Sequence, residues 1–119
     1  MTDLPSSLPG IDVATGLTRV AGNKTLYLKL LRRMASDVPS TREKLSAAVM
    51  NADSHSVREI AHSLKGASAN LAITDVTAAA ESLEAAAKAD DLTAIAARLG
   101  AMEEALQNYV SVVGTLENL

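Results

Sequence analysis

One apolar beat runs along most of this chain, and it is the beat of a helix. From Lys24 onward Tyr27, Leu30, Leu31, Met34, Val38, Leu45 and Val49 recur at intervals that put them on one face. A second run holds Val57, Ile60, Leu64, Ala67 and Leu71. A third holds Val76, Ala80, Leu83 and Ala87. The last holds Leu92, Ile95, Leu99, Met102, Leu106, Tyr109, Val113 and Leu116. Each recurs at the 3.6-residue period, and none alternates as a strand does. Composition agrees: apolar residues make up 48% of the 119, yet only two are aromatic, both Tyr. Strands favour aromatic and β-branched residues, whereas alanine and leucine suit closely packed helices.

Turn and cap residues divide the beat. Residues 1–11 hold two of the three prolines and read as a linker or extended N-terminal arm, pinned by Leu4, Leu8 and Ile11. Asp12 is a fitting N-cap for a short helix carrying Val13, Leu17 and Val20. Gly22 ends it, and Asn23 caps the next helix. Pro39 sits inside that helix without breaking phase, so either one kinked helix or two helices parting near Asp37 is expected, the kink preferred. Asp53 or Ser54 caps the third segment, Thr74 or Asp75 the fourth, and the "KADD" stretch ends the fourth. Four amphipathic segments with short connections predict an all-α, antiparallel four-helix bundle. A short N-terminal helix covers one end, and the domain spans 12–119.

Several function classes drop out. A net charge of −3 provides no basic face for nucleic acid. Without cysteine there is no disulfide or thiolate chemistry, and a reducing compartment is expected. No apolar run reaches membrane-spanning length, and the N-terminus lacks signal-peptide features. The expectation is a cytoplasmic protein.

The stretch "AHSLKGASANLA", residues 61–72, is the exception to routine helix sequence. At about 100° per residue, the apolar stripe of this helix lies almost opposite His62. The face around His62 collects His55, Arg58, Glu59, Lys65, Gly66 and Ala69. Gly66 in mid-helix costs roughly 1 kcal/mol against alanine. In so alanine-rich a chain, that suggests that something must come close to the helix surface there. Ala69 keeps the same lane low. Lys65, one turn from His62, can offset negative charge carried by the imidazole, whose neutral form is the nucleophile.

The run "HSLKGASANLA" resembles the signature of histidine-containing phosphotransfer (Hpt) domains, through His62, Leu64, Lys65, Gly66, Ser68 and Leu71. Ala72 stands where that signature usually has glycine. The lead-in "IDVATGLTRVAGNKTLYLKLLRRM" is similar to that of Hpt domains fused to bacterial hybrid sensor kinases. The resemblance implies a phosphorelay intermediate. His62 takes a phosphoryl group from a receiver-domain phospho-aspartate, on Nε2, and passes it to another receiver. Lys65 offsets the phosphate charge and Gly66 gives the receiver room. The receiver supplies Mg²⁺, and this chain binds no cofactor of its own and has no ATP site. Possible partners include a hybrid histidine kinase. The matching position for a residue that orients His62 through Nδ1 is Glu84, which reads equally as a solvated helix residue. Ser68 lies on the flank, with a packing or backbone-bonding role. Arg58 and Glu59 read as a solvated face or a docking rim, with Ala69 in the docking lane.

Rival readings stay open. One is a non-catalytic helical adaptor or dimerisation module, against which only the His62–Lys65–Gly66 strip speaks. Another is a kinase-side domain phosphorylated directly by an ATP-binding partner. A surface metal site on His55, Glu59 and His62 fits poorly, because seven residues separate the histidines by about 10 Å along the axis. One accessible strip on a closed bundle fits a monomer.

Overall fold

A computed structural model describes residues 4–116. Five helices form: α1 (Val13–Arg19), α2 (Lys24–Met50), α3 (Ser54–Asn70), α4 (Thr74–Lys88) and α5 (Leu92–Gly114). Among the described residues no strand forms, and a single bridge joins Leu8 to Ile11. No helix there is long and apolar enough to cross a membrane.

The helix starts follow the expected chemistry. Asp12, Asn23, Asp53 and Asp91 each accept a backbone N–H from three residues ahead, satisfying a donor that has no partner inside the helix. The start of α4 departs from expectation. Neither Thr74 nor Asp75 caps it, and the cap residue Ile73 offers no side-chain bond. The carbonyl of Gly10 accepts instead, from the Thr74 hydroxyl at 3.2 Å and the Asp75 amide at 3.4 Å. A cap lent by a segment more than sixty residues away leaves no local signature. The arm is tied down further by the Asp12 amide, which donates to the Ala72 carbonyl at 2.9 Å.

Packing closes a ring. α3 and α4 share the largest contact, α4 packs on α5, and α2 touches both α3 and α5. Buried side chains from all four meet inside, among them Leu31, Leu45, Val57, Leu83, Ile95, Met102 and Leu106. Two phenols bind the ring together. Tyr27 Oη donates to the Leu71 carbonyl at 2.6 Å, and Tyr109 Oη to the Leu31 carbonyl at 2.5 Å. Burial pushes the Tyr27 phenol up to about 12 and the Tyr109 phenol higher still. α1 lies against α2, its Gly16 so close beneath the Tyr27 ring that any Cβ would overlap the phenol.

Pro39 neither parts α2 nor ends it: one helix runs from Lys24 to Met50. The proline lies on the exposed side, where water can donate to the carbonyl one turn back that its missing N–H leaves without a partner. Leu92, expected inside, is 49% exposed. It is the first residue of α5, at an end where no neighbour covers it.

Alanine occupies a left-handed position after three helices: Ala52 (φ 52°), Ala72 (φ 57°) and, after α1, Ala21 (φ 54°). Ala72 is the residue noted above as standing in place of glycine. The left-handed region costs an L-residue about 1 kcal/mol or more. Ala52 is exposed and loses no packing on truncation. Ala52→Gly should therefore raise the unfolding free energy by about 1 kcal/mol, read by urea denaturation.

Candidate functional site

The buried face of α3 is Val57, Ala61, Leu64 and Ser68. That stripe is turned from the expected one. Ile60 is only half-buried and Ala67 is exposed; both line a groove facing Met34 and Val38 of α2. On the corrected wheel His62 lies about 130° from the centre of the core and Lys65 about 70°. Both residues are thereby turned toward α4. His62 is not opposite the core but on the shoulder of the α3–α4 seam.

Glu84 waits on that seam. It is 3% exposed, among Leu83, Ala86 and Ala87 on the inner side of α4, so it is not a solvated helix residue. Its Oε2 lies 2.7 Å from His62 Nδ1, and its Oε1 accepts from Lys65 Nζ at 2.6 Å. The Lys65 ammonium, outweighing burial and helped by His62 and Lys88, holds the Glu84 carboxyl down at about 2. An ionised carboxylate only accepts. Nδ1 therefore carries the proton, and in the neutral ring Nε2 carries the lone pair. The His62 side chain is 68% exposed, so that lone pair is reachable from outside.

Lys65 thus sits on Glu84 rather than standing free beside the imidazole. The pair has a pH signature. A carboxyl whose folded value is depressed adds stability that is whole above its ordinary value of 4.5 and is lost as pH falls through about 2. Lys65→Met removes the main cause of the depression. Acid unfolding followed by circular dichroism should then begin at higher pH than in the wild type.

Beyond the imidazole the surface is low. A Cβ on Gly66 would meet nothing within 4 Å, and Ala69 is half-buried. Ser68 is fully buried. Its hydroxyl donates to the Lys65 carbonyl at 3.2 Å and pairs with Thr77 Oγ1 at 2.7 Å. It therefore braces the α3–α4 contact from within and does not reach the strip. Arg58 and Glu59 are exposed on the approach to His62. Glu59 Oε1 meets His55 Nε2 at 2.9 Å. Among the described residues no group of three or more metal-ligating side chains gathers, so the His55 site gains no support.

Two residues escaped the sequence reading. Lys88 lines the shallow pocket that also holds Arg58, His62, Ser63 and Glu84. Its signal was available, since it stands one turn after Glu84. Arg19 of α1 donates to the Ala69 carbonyl, a contact between distant segments that no local pattern announces.

The Hpt domain family model matches residues 29–111, a span holding His62, Lys65, Gly66, Glu84 and Lys88. The chain belongs to the Hpt domain family. Hpt domains are phosphohistidine carriers of two-component signalling and are not themselves kinases. Two solved structures share the fold. Histidine-containing phosphotransfer protein B from Pseudomonas aeruginosa superposes with a TM-score of 0.83 at 23% identity, over 94% of this chain and 97% of that one. The Hpt domain of a sensor hybrid histidine kinase from Shewanella gives 0.82 at 20% identity, with the same coverage. A comparison with curated proteins gave no match.

Proposed function

We propose that this Hpt domain is a phosphorelay intermediate, and that His62 Nε2 is the atom that carries the phosphoryl group. The observation that carries this reading is the Glu84 carboxylate on Nδ1, which leaves the outer nitrogen with its lone pair beside an open lane. In the transfer step Nε2 attacks the phosphorus of a receiver's phospho-aspartate. The N–P bond forms as the P–O bond breaks, and the bonding pair leaves with the receiver's carboxylate. No proton need move, because Nδ1 keeps its own. The ring becomes cationic, and Glu84 faces the charge that develops, as the buried aspartate does in a Ser-His-Asp triad. The reverse step passes the group to a second receiver. Such transfer rests mainly on positioning and charge.

The metal for this step, Mg²⁺, comes with the receiver. The two Glu84 oxygens serve His62 and Lys65. The scaffold reads as an antiparallel four-helix bundle with α1 across one end. Supporting this, the start of α2 bonds the end of α3 through Tyr27, and the start of α3 bonds the end of α4 through Ser54 and Asp90. The domain works as a monomer in the cytoplasm, with receivers, and in some settings a hybrid kinase, as partners.

The test is incubation with a phosphorylated receiver and Mg²⁺, followed by assay for an acid-labile, base-stable phosphate on this chain. Label is the expected result. No label from any of several receivers would return the domain to the adaptor reading. Gly66 provides a second check. Gly66→Ala should stabilise the helix by roughly 0.5–1 kcal/mol, since the new methyl meets nothing. Gly66→Leu should fold equally well but slow receiver transfer at least tenfold, and an unchanged rate would remove the close-approach explanation for the glycine.

A further inference from the structure

The phosphoryl group on His62 needs a counter-charge, and the lysine expected to provide it is engaged elsewhere. A phosphoryl group carries close to two negative charges at neutral pH. Around His62 stand Arg58, Glu59 and Lys65 from α3, with Glu84 and Lys88 from α4. Lys65 and Glu84 offset each other at 2.6 Å, and Glu59 faces His55. Two cations without an ion pair remain, Lys88 adding only a coulombic pull on the Glu84 carboxylate. Arg58 stands one turn before His62 on its own helix, and Lys88 one turn after Glu84 on the facing helix. Both line the same open pocket as the imidazole, both are exposed, and neither is engaged in an ion pair among the described residues.

We propose that Arg58 and Lys88 form a two-sided clamp that binds the phosphoryl oxygens on His62 Nε2, while Lys65 serves Glu84. This rests on the carrier reading above. Arg58 reaches from α3 and Lys88 from α4, so the group is held across the seam from both sides. A guanidinium offers a planar fork to phosphate oxygens and an ammonium a mobile point charge. Because the clamp favours the dianion, it also lowers the second ionisation of the bound phosphoryl group. Lys65 acts on it only at second hand, by keeping Glu84 charged.

Phosphoramidate, a small phosphoryl donor that needs no receiver, separates the clamp from docking. The full chain is phosphorylated with it, and the phosphorus resonance is titrated by ³¹P NMR. The expected midpoint for the phosphohistidine rises by about half a unit in Lys88→Met and in Arg58→Met, and further in the double variant. Lys88→Arg restores the wild-type value. If the double variant titrates like the wild type while Lys65→Met shifts the midpoint, the phosphate is held by Lys65 and the clamp is wrong. If the double variant loses only receiver transfer, with its midpoint unmoved, the two cations act in docking and the clamp is equally wrong. Should the wild type accept phosphate neither from phosphoramidate nor from a phosphorylated receiver, the carrier reading itself fails first.

Discussion

His62→Gln is expected to reduce phosphate uptake from a phosphorylated receiver to background, a fall of at least a thousandfold. Glutamine has no nucleophilic nitrogen, because its amide lone pair is delocalised into the carbonyl. The side chain it replaces is 68% exposed, so the core does not register the change. A surface substitution of this kind stays within about 0.5 kcal/mol of the parent. The measurement is the label recovered after alkaline quench, beside a thermal unfolding curve. Label persisting on the variant would move the site off His62. His55 is the other histidine of the chain, and His55→Gln should keep full activity.

Glu84→Ala should have the second largest effect. It removes the acceptor that fixes the proton on Nδ1, and it strands the half-buried Lys65 ammonium. With Nδ1 free to lose its proton, part of the imidazole population presents N–H at Nε2 and cannot attack. Transfer is expected to slow by about a hundredfold, within the range for a misplaced acid–base partner. Stability also falls, since the half-buried Lys65 ammonium loses its partner. Glu84→Gln keeps an oxygen for the Nδ1 proton but loses the charge facing the ring. It should lie between, about tenfold below wild type, so the two variants separate orientation from charge. Lys65→Ala combined with Glu84→Ala should cost less than the sum of the singles, the mark of a coupled pair. Glu84→Ala at the wild-type transfer rate would mean that the carboxylate does not govern the imidazole.

The sequence carried the helical period plainly, and the starts of α1, α2 and α3 were read from their cap residues, while Asp91, the cap of α5, stood unread inside the stretch that ends α4. The start of α4 could not be read, because the Gly10 carbonyl that serves it is a backbone atom from a distant segment. On α3 the His62, Lys65 and Gly66 constellation was legible by spacing alone. The phase of its buried face was not. Ala61 and Ser68 are small or polar, and Ile60 and Ala67 look more like core than they do. Hydrophobicity weights a residue by its chemistry, whereas burial is decided by where the neighbouring helix lies. That difference of half a helical step is what brings His62 and Lys65 to Glu84. A spacing of twenty-two residues, spanning a turn between two helices, states no distance until the helices are packed.

Fixing the imidazole by one inward bond makes His62 a one-sided port. Its inner nitrogen is sealed by Glu84, and its outer nitrogen is open to a single approach. Two partners cannot occupy that approach together, so in the relay proposed above donor and acceptor would take turns. Steady-state traffic should follow ping-pong kinetics, with parallel reciprocal plots and each receiver in its unphosphorylated form competing against the other. The direction of net flow would then be set by the relative amounts of phosphorylated and free receivers and by their transfer equilibria.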